Sequence, residues 1–324
     1  MHPPLDRLLG AVIGLAVGDA ARPARDPSAG RPGEPPADPF LTPPDGFSPF
    51  DRRPGVWSAG TAMALCLGTS LVESRRFDPG DQLQRYLRWW REGYLTATGR
   101  CLAIGATTRQ ALRRFADQGD PTPGNPDPRT AGSGSLLRLA PVVVWAHRRP
   151  DQALALARES SLTTHAAPEC VDACEYLAGL LILSWAGADL DQPLRSPSPR
   201  WSPAIRAIAQ ADYRSLGPAP WMVSNYVVDT LAAARRVLAQ SHNFRQAIEM
   251  ATQLGGESHP VAAVVGQLAG ARWGLSGIPR KWVARLVMVQ EIVTLAGRLA
   301  EEGPRWRTTP VRNRPAWSQA SLSP

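Results

Sequence analysis

The run Gly10-Ala11-Val12-Ile13-Gly14-Leu15-Ala16-Val17-Gly18-Asp19-Ala20 decides how the chain is read. Glycine recurs at every fourth position among otherwise apolar residues, which puts Gly10, Gly14 and Gly18 on one face of a helix. A face without side chains lets a second backbone approach closely. The spacing therefore predicts a helix from about Pro4 to Ala20 that is packed inside a helical protein, with Asp19 at its end.

Working outward, the helical period recurs along the chain. Helices are predicted at about 61–74, from just after residue 78 or 81 to about 92, and at 107–116, 151–159, 168–186, 205–211, 226–239, 244–254, 261–273 and 282–300. Asp78 or Asp81 is placed to cap the third of these, counting from the N-terminus. No segment has a convincing strand period. The expected fold is all-α, a compact orthogonal multi-helix bundle forming one domain over residues 1–302. Residues 22–56 are dense in Pro, Gly and Asp and read as a long loop. Residues 303–324, rich in Arg and Pro, read as a disordered tail.

Hydrophobic residues make up 44% of the 324 and charged residues 20%, the composition of a folded protein with a substantial core. The net charge is +8, yet of 36 Lys and Arg residues only Lys281 is a lysine. So uniform a preference points to genome composition rather than to a nucleic-acid footprint, and a nucleic-acid partner is not expected. Cys66, Cys101, Cys170 and Cys174 contain no Cys-x-x-Cys pair and no disulfide framework. They read as reduced thiols of a cytoplasmic protein. Asp6 and Asp19 bracket the first apolar run, which argues against a signal peptide. The run Tyr176 to Ala188 is too short to cross a bilayer.

Two loops lead into helices where anion or metal chemistry could occur: Trp57-Ser58-Ala59-Gly60-Thr61 and Gly255-Gly256-Glu257-Ser258-His259-Pro260. Helix N-termini favour anions, and carboxylates grouped there can hold hard divalent cations. The plainer reading makes Ser58 and Ser258 helix caps and Pro260 a first-turn residue. Gly132-Ser133-Gly134-Ser135 could bring backbone close to a ligand. His165 could stack on a base or ribose, although a lone histidine is more often structural.

Together and in this order, these stretches resemble the ADP-ribosylglycohydrolase family, which includes the dinitrogenase-reductase-activating glycohydrolase and the J-type crystallins. The resemblance rests on Gly10 to Ala20, Gly132 to Pro141, Thr163 to Glu169, Asn225 to Leu231 and Gly266 to Ala271, and spans about residues 5 to 300. It implies an ADP-ribose cleft with a dinuclear magnesium site. In the family, a Ser/Thr-Asp-Asp run and an Asp-x-Asp-Thr run supply the ligands. By position these fall on Ser58, Ala59 and Gly60, and on Glu257, His259 and Pro260. Among the four Asp positions only Glu257 keeps a carboxylate, so no metal is expected here.

The resemblance then implies a homologue that has lost the magnesium site and binds ADP-ribose or an ADP-ribosylated group. Asp19, Ser133, Gly134, Ser135, His165, Gly255 and Gly256 are the residues expected around that cleft. One alternative is a rewired glycoside hydrolase, with Asp19 and Glu257 as an acid/base pair or His259 beside Glu257 as ligands of one softer metal. Another is a crystallin-like structural or partner-binding protein, whose partner the sequence does not name.

Overall fold

The computed structural model describes residues 4–21, 40, 53–190, 194, 197–213, 215 and 222–303. Most of the predicted loop 22–56 and the tail beyond residue 303 lie outside the described residues. In chain order the helices are α1 (Leu5–Ala20), α2 (Ala59–Ser74), α3 (Pro79–Glu92), α4 (Ala106–Gln118), α5 (Ala140–Trp145), α6 (Pro150–Leu162) and α7 (Pro168–Trp185). They continue with α8 (Pro203–Gln210), α9 (Val227–Ala239), α10 (Phe244–Thr252), α11 (Ser258–Trp273), α12 (Arg280–Arg285) and α13 (Val289–Glu302). Local chemistry sets many ends. Asp78 accepts the Asp81 N–H at 3.1 Å ahead of α3, Asn243 accepts the Gln246 N–H at 2.9 Å ahead of α10, and Pro begins α3, α6, α7 and α8.

α1 and α11 are the centre of the molecule, surrounded by α5, α7, α9, α10 and α13. They run antiparallel with almost no side chain between them. A Cβ added at Gly10 would collide with the Gly270 carbonyl, one at Gly14 with the Gly266 carbonyl, and one at Gly18 with the Ala262 carbonyl. The contact is reciprocal, since Cβ atoms at Gly266 and Gly270 would strike the carbonyls of Gly14 and Gly10. This register has a consequence for function. It sets the last turn of α1, with Asp19, against the first turn of α11, with His259.

Two features depart from the predicted fold. Met222–Val223 (β1) and Gly255–Gly256 (β2) form a short parallel pair where no strand is predicted. The predicted final helix is broken between Arg285 and Val289, with Met288 at a positive φ of 57°. The cause is tertiary: the Val287 N–H donates to the Gly55 carbonyl at 3.1 Å, and the Trp57 indole donates to the Val287 carbonyl at 2.9 Å. The segment ahead of α2 thus takes backbone groups that a continuous helix would have used. No helix among the described residues is long and apolar enough to cross a membrane.

Candidate functional site

A cleft of about 370 Å³ opens where four elements begin: α2 at Ala59, α4 at Ala106, the 3-10 turn Ser133–Arg138, and α11 at Ser258. Each helix start carries the positive end of its dipole, so the cleft is suited to an anion. Ser58, Ala59, Gly60, Ser133, Gly134, His165, Glu257, His259 and Pro260 all lie on its wall. Residues far apart in the chain are therefore brought together here. A smaller compartment of about 150 Å³ adjoins the cleft through Ser58, Ala59 and His259, and Trp57, Trp89 and Ala97 help to line it.

Asp19 sits behind this wall rather than on it. Fully buried, its carboxylate accepts the Ser58 N–H at 2.9 Å, the Ser58 hydroxyl at 2.5 Å, the Thr61 N–H at 2.8 Å and the Thr61 hydroxyl at 2.6 Å. His259 Nε2 lies 2.9 Å from Asp19 Oδ1 and 2.9 Å from the Asp19 carbonyl. Burial alone would raise this carboxyl. The hydrogen bond and charge of His259, then the hydroxyls of Ser58 and Thr61, more than offset it and hold the group well below the usual carboxylate range. Asp19 is thus an ionised acceptor engaged from several sides. Ser58 stands at the cap position of α2 without a side-chain cap bond, its hydroxyl donating to Asp19 instead, while the cap position of α11 falls on Glu257, with Ser258 already inside the helix.

On the opposite wall, the Ser133 hydroxyl donates to Asn225 Oδ1 at 2.8 Å and the Ser133 N–H to the Asn225 carbonyl at 3.2 Å. Ser135 is buried below the surface, with its hydroxyl oxygen 3.0 Å from that of Ser161. His165 is almost fully buried, and burial followed by the Arg138 charge pushes it down to about 3, so the ring is neutral. Gly255 and Gly256 pair with β1 and do not line the cleft. Sequence reasoning passed over Asn225, Trp89, Thr107 and Thr108, which the structure adds to the wall. Asn225 had a signal, since it opens the Asn225–Leu231 stretch. Thr107 and Thr108 had none beyond starting a helix.

Ala59 and Gly60 offer no side-chain donor, Pro260 offers none, and Glu257 is an exposed carboxylate at the start of α11. Among the described residues, no three His, Cys, Asp or Glu side chains form a group that could hold a metal ion.

A helical bundle with an anion-suited cleft at converging helix starts is the class that fold and site define. A family model described as ADP-ribosylglycohydrolase matches residues 1–309. The ADP-ribosylarginine hydrolase Tri1 of Pseudomonas putida (strain GB-1) is 36% identical over 309 residues, covering 93% of this chain and 80% of that protein. ADP-ribosyl-[dinitrogen reductase] glycohydrolase of Rhodospirillum rubrum is 26% identical over 298 residues, covering 88% of this chain and 92% of that one. A solved structure of an ADP-ribosylglycohydrolase-related protein complex superimposes with a TM-score of 0.75 at 39% identity, covering 91% of this chain and 97% of that one. The chain belongs to the ADP-ribosylglycohydrolase family.

Proposed function

We propose that this chain binds ADP-ribose, or a group carrying it, in the cleft and does not hydrolyse it by the family's two-magnesium chemistry. The carrying observation is the composition of the two helix starts, where Ala59, Gly60, His259 and Pro260 stand in place of oxygen ligands. Magnesium needs near-octahedral oxygen ligation, and two such ions repel unless anionic ligands neutralise them. Among the described residues, Glu257 is the one carboxylate on the cleft wall. Asp19 is already fully engaged, and an imidazole stands where a carboxylate would be required. These residues do not fit a dinuclear magnesium site.

Binding without the metals has its own physical basis. The converging helix dipoles attract a diphosphate, the glycine-rich wall at Gly132–Gly134 allows close approach, and His165 offers a ring nitrogen. The smaller compartment beside His259 is suited to the group joined to the ribose. Since relatives carry the name ADP-ribosylarginine hydrolase, an ADP-ribosylarginine peptide is the first such ligand to try.

A hydrolase built on Asp19 and Glu257 is less well supported. General-acid work needs a carboxyl that holds a proton near neutral pH. The donors around Asp19 do the opposite.

The test is a thermal-shift titration with ADP-ribose, with and without magnesium, beside an assay for ADP-ribose release from ADP-ribosylarginine. A shift indifferent to magnesium, with no release, is expected. Magnesium-dependent turnover overturns the reading, and no shift at all favours a structural role. Restoring ligands together with Ala59→Asp, Gly60→Asp, Glu257→Asp, His259→Asp and Pro260→Thr should produce magnesium binding by calorimetry. A folded variant that binds none would mean these positions are not where the family's ligands stand.

A further inference from the structure

Arg138 is fully buried at the end of the 3-10 turn beneath the cleft wall, and no carboxylate pairs with it among the described residues. Its Nη2 donates to the Ser160 carbonyl at 3.1 Å, to Thr163 Oγ1 at 3.1 Å and to Thr164 Oγ1 at 2.6 Å, while its guanidinium lies 5.1 Å from the Tyr86 ring centroid. Thr164 Oγ1 is in turn 2.7 Å from His165 Nδ1.

These contacts fix proton positions. Guanidinium nitrogens only donate, so the Thr164 oxygen must accept from Arg138. The Thr164 hydroxyl hydrogen is then directed to its other neighbour, His165 Nδ1, which must be bare to receive it. A neutral imidazole with a bare Nδ1 carries its proton on Nε2. A doubly protonated ring is opposed by the buried guanidinium close by.

The backbone of His165 is also held. Its N–H donates to the Ser161 carbonyl at 2.7 Å, its carbonyl accepts the Ser161 hydroxyl at 2.7 Å, and it bridges to Asn125. Nε2 has no hydrogen-bond partner among the described residues, and His165 lies on the cleft wall. Space is left for it by Gly134, where an added Cβ would come 2.8 Å from His165 Cε1 and 3.0 Å from Nε2.

We propose that Arg138 and Thr164 are positioning residues that hold His165 as an Nε2–H donor directed at an acceptor oxygen of the ligand in the cleft. The proposal rests on the cleft being the ADP-ribose site. It gives a role to a buried, unpaired cation that would otherwise be a net cost to the fold. The opposite tautomer would turn a lone pair towards the ligand's oxygens and repel them.

The experiment compares wild type, Thr164→Val and Thr164→Ser, using isotopically labelled histidine. The ring-nitrogen shifts of the five histidines distinguish the two tautomers. Wild type and Thr164→Ser should show His165 protonated on Nε2. Thr164→Val, which keeps the shape but loses the hydroxyl, should show the other tautomer or a mixture. By titration calorimetry, Thr164→Val should bind ADP-ribose about tenfold more weakly, the worth of one good hydrogen bond, and Thr164→Ser should restore it. An unchanged His165 spectrum in Thr164→Val overturns the positioning role. A changed spectrum with unchanged ADP-ribose affinity overturns the donor role. If wild type binds no ADP-ribose, the functional reading fails, and the histidine spectra still decide whether Arg138 and Thr164 set the tautomer.

Discussion

The α1–α11 seam and the mouth of the cleft are made by the same two helices, and they are opposites. Along the seam, Gly10, Gly14 and Gly18 face Gly270, Gly266 and Ala262 with nothing to titrate and no room for a methyl group. One turn further on, Asp19 and His259 meet through their side chains, and the walls around them are polar. Geometry at the mouth is inherited from the seam. The residue types at the mouth can therefore change while the positions that hold them stay put. Ala59, Gly60 and Pro260 stand at that mouth without a side-chain oxygen.

The largest effect is expected where seam and mouth join. Asp19→Ala leaves the Ser58 and Thr61 N–H groups, their hydroxyls and His259 without a common acceptor in a buried place. Removing one partner of such a buried charged cluster costs about 3–5 kcal/mol. Urea denaturation should show that loss. A loss under about 1 kcal/mol would mean that the cluster contributes no more than a surface ion pair does.

A smaller effect isolates the seam. Gly14→Ala forces two backbones apart and should cost about 1–3 kcal/mol, as overpacking does. Gly297 in α13 is the control, because a Cβ added there meets nothing within 4 Å. Gly297→Ala should stabilise by about 0.5–1 kcal/mol, since glycine in a helix interior is unfavourable relative to alanine. The same substitution thus changes sign between the two helices. Equal effects at both positions would show that backbone approach is not what the glycines serve.

The seam was the part most open to reading from sequence. Glycine at every fourth position is a packing statement in itself, and helix α1 ends where that run ends. Part of the cleft wall was legible through the family resemblance, because glycine-rich turns and helix starts taken alone read equally well as caps and chain turns. The break at Leu286–Met288 was not. Nothing local interrupts that helix, and the cause lies far away in the chain, at Gly55 and Trp57. Asn225 was visible only as the start of the Asn225–Leu231 stretch, since its contact with Ser133 joins positions distant in sequence. The resemblance puts Asp19 among the cleft residues. Its burial behind Ser58 and Thr61 is a property of packing, which no spacing records.

The mouth and wall should also differ from the seam in how they respond to acid, with an effect that starts small and grows as pH falls. His165 titrates near 6.5 when exposed and is pushed down to about 3 when folded, first by burial and then by Arg138. Between those values the unfolded chain binds a proton that the folded chain refuses, so stability rises with pH across the interval and falls as acid is added. The loss is about 1.4 kcal/mol per pH unit once pH is well below 6.5, and it is absent above neutrality. Denaturation midpoints for wild type and His165→Gln, taken from pH 7.5 to pH 4.5, should converge as pH falls, because the glutamine variant lacks this proton. Gly14→Ala should run parallel to wild type throughout, since no titrating group lies in the seam. If His165→Gln also runs parallel, the imidazole is not held neutral in the folded protein, and the wall would carry a charge that its burial beside Arg138 argues against.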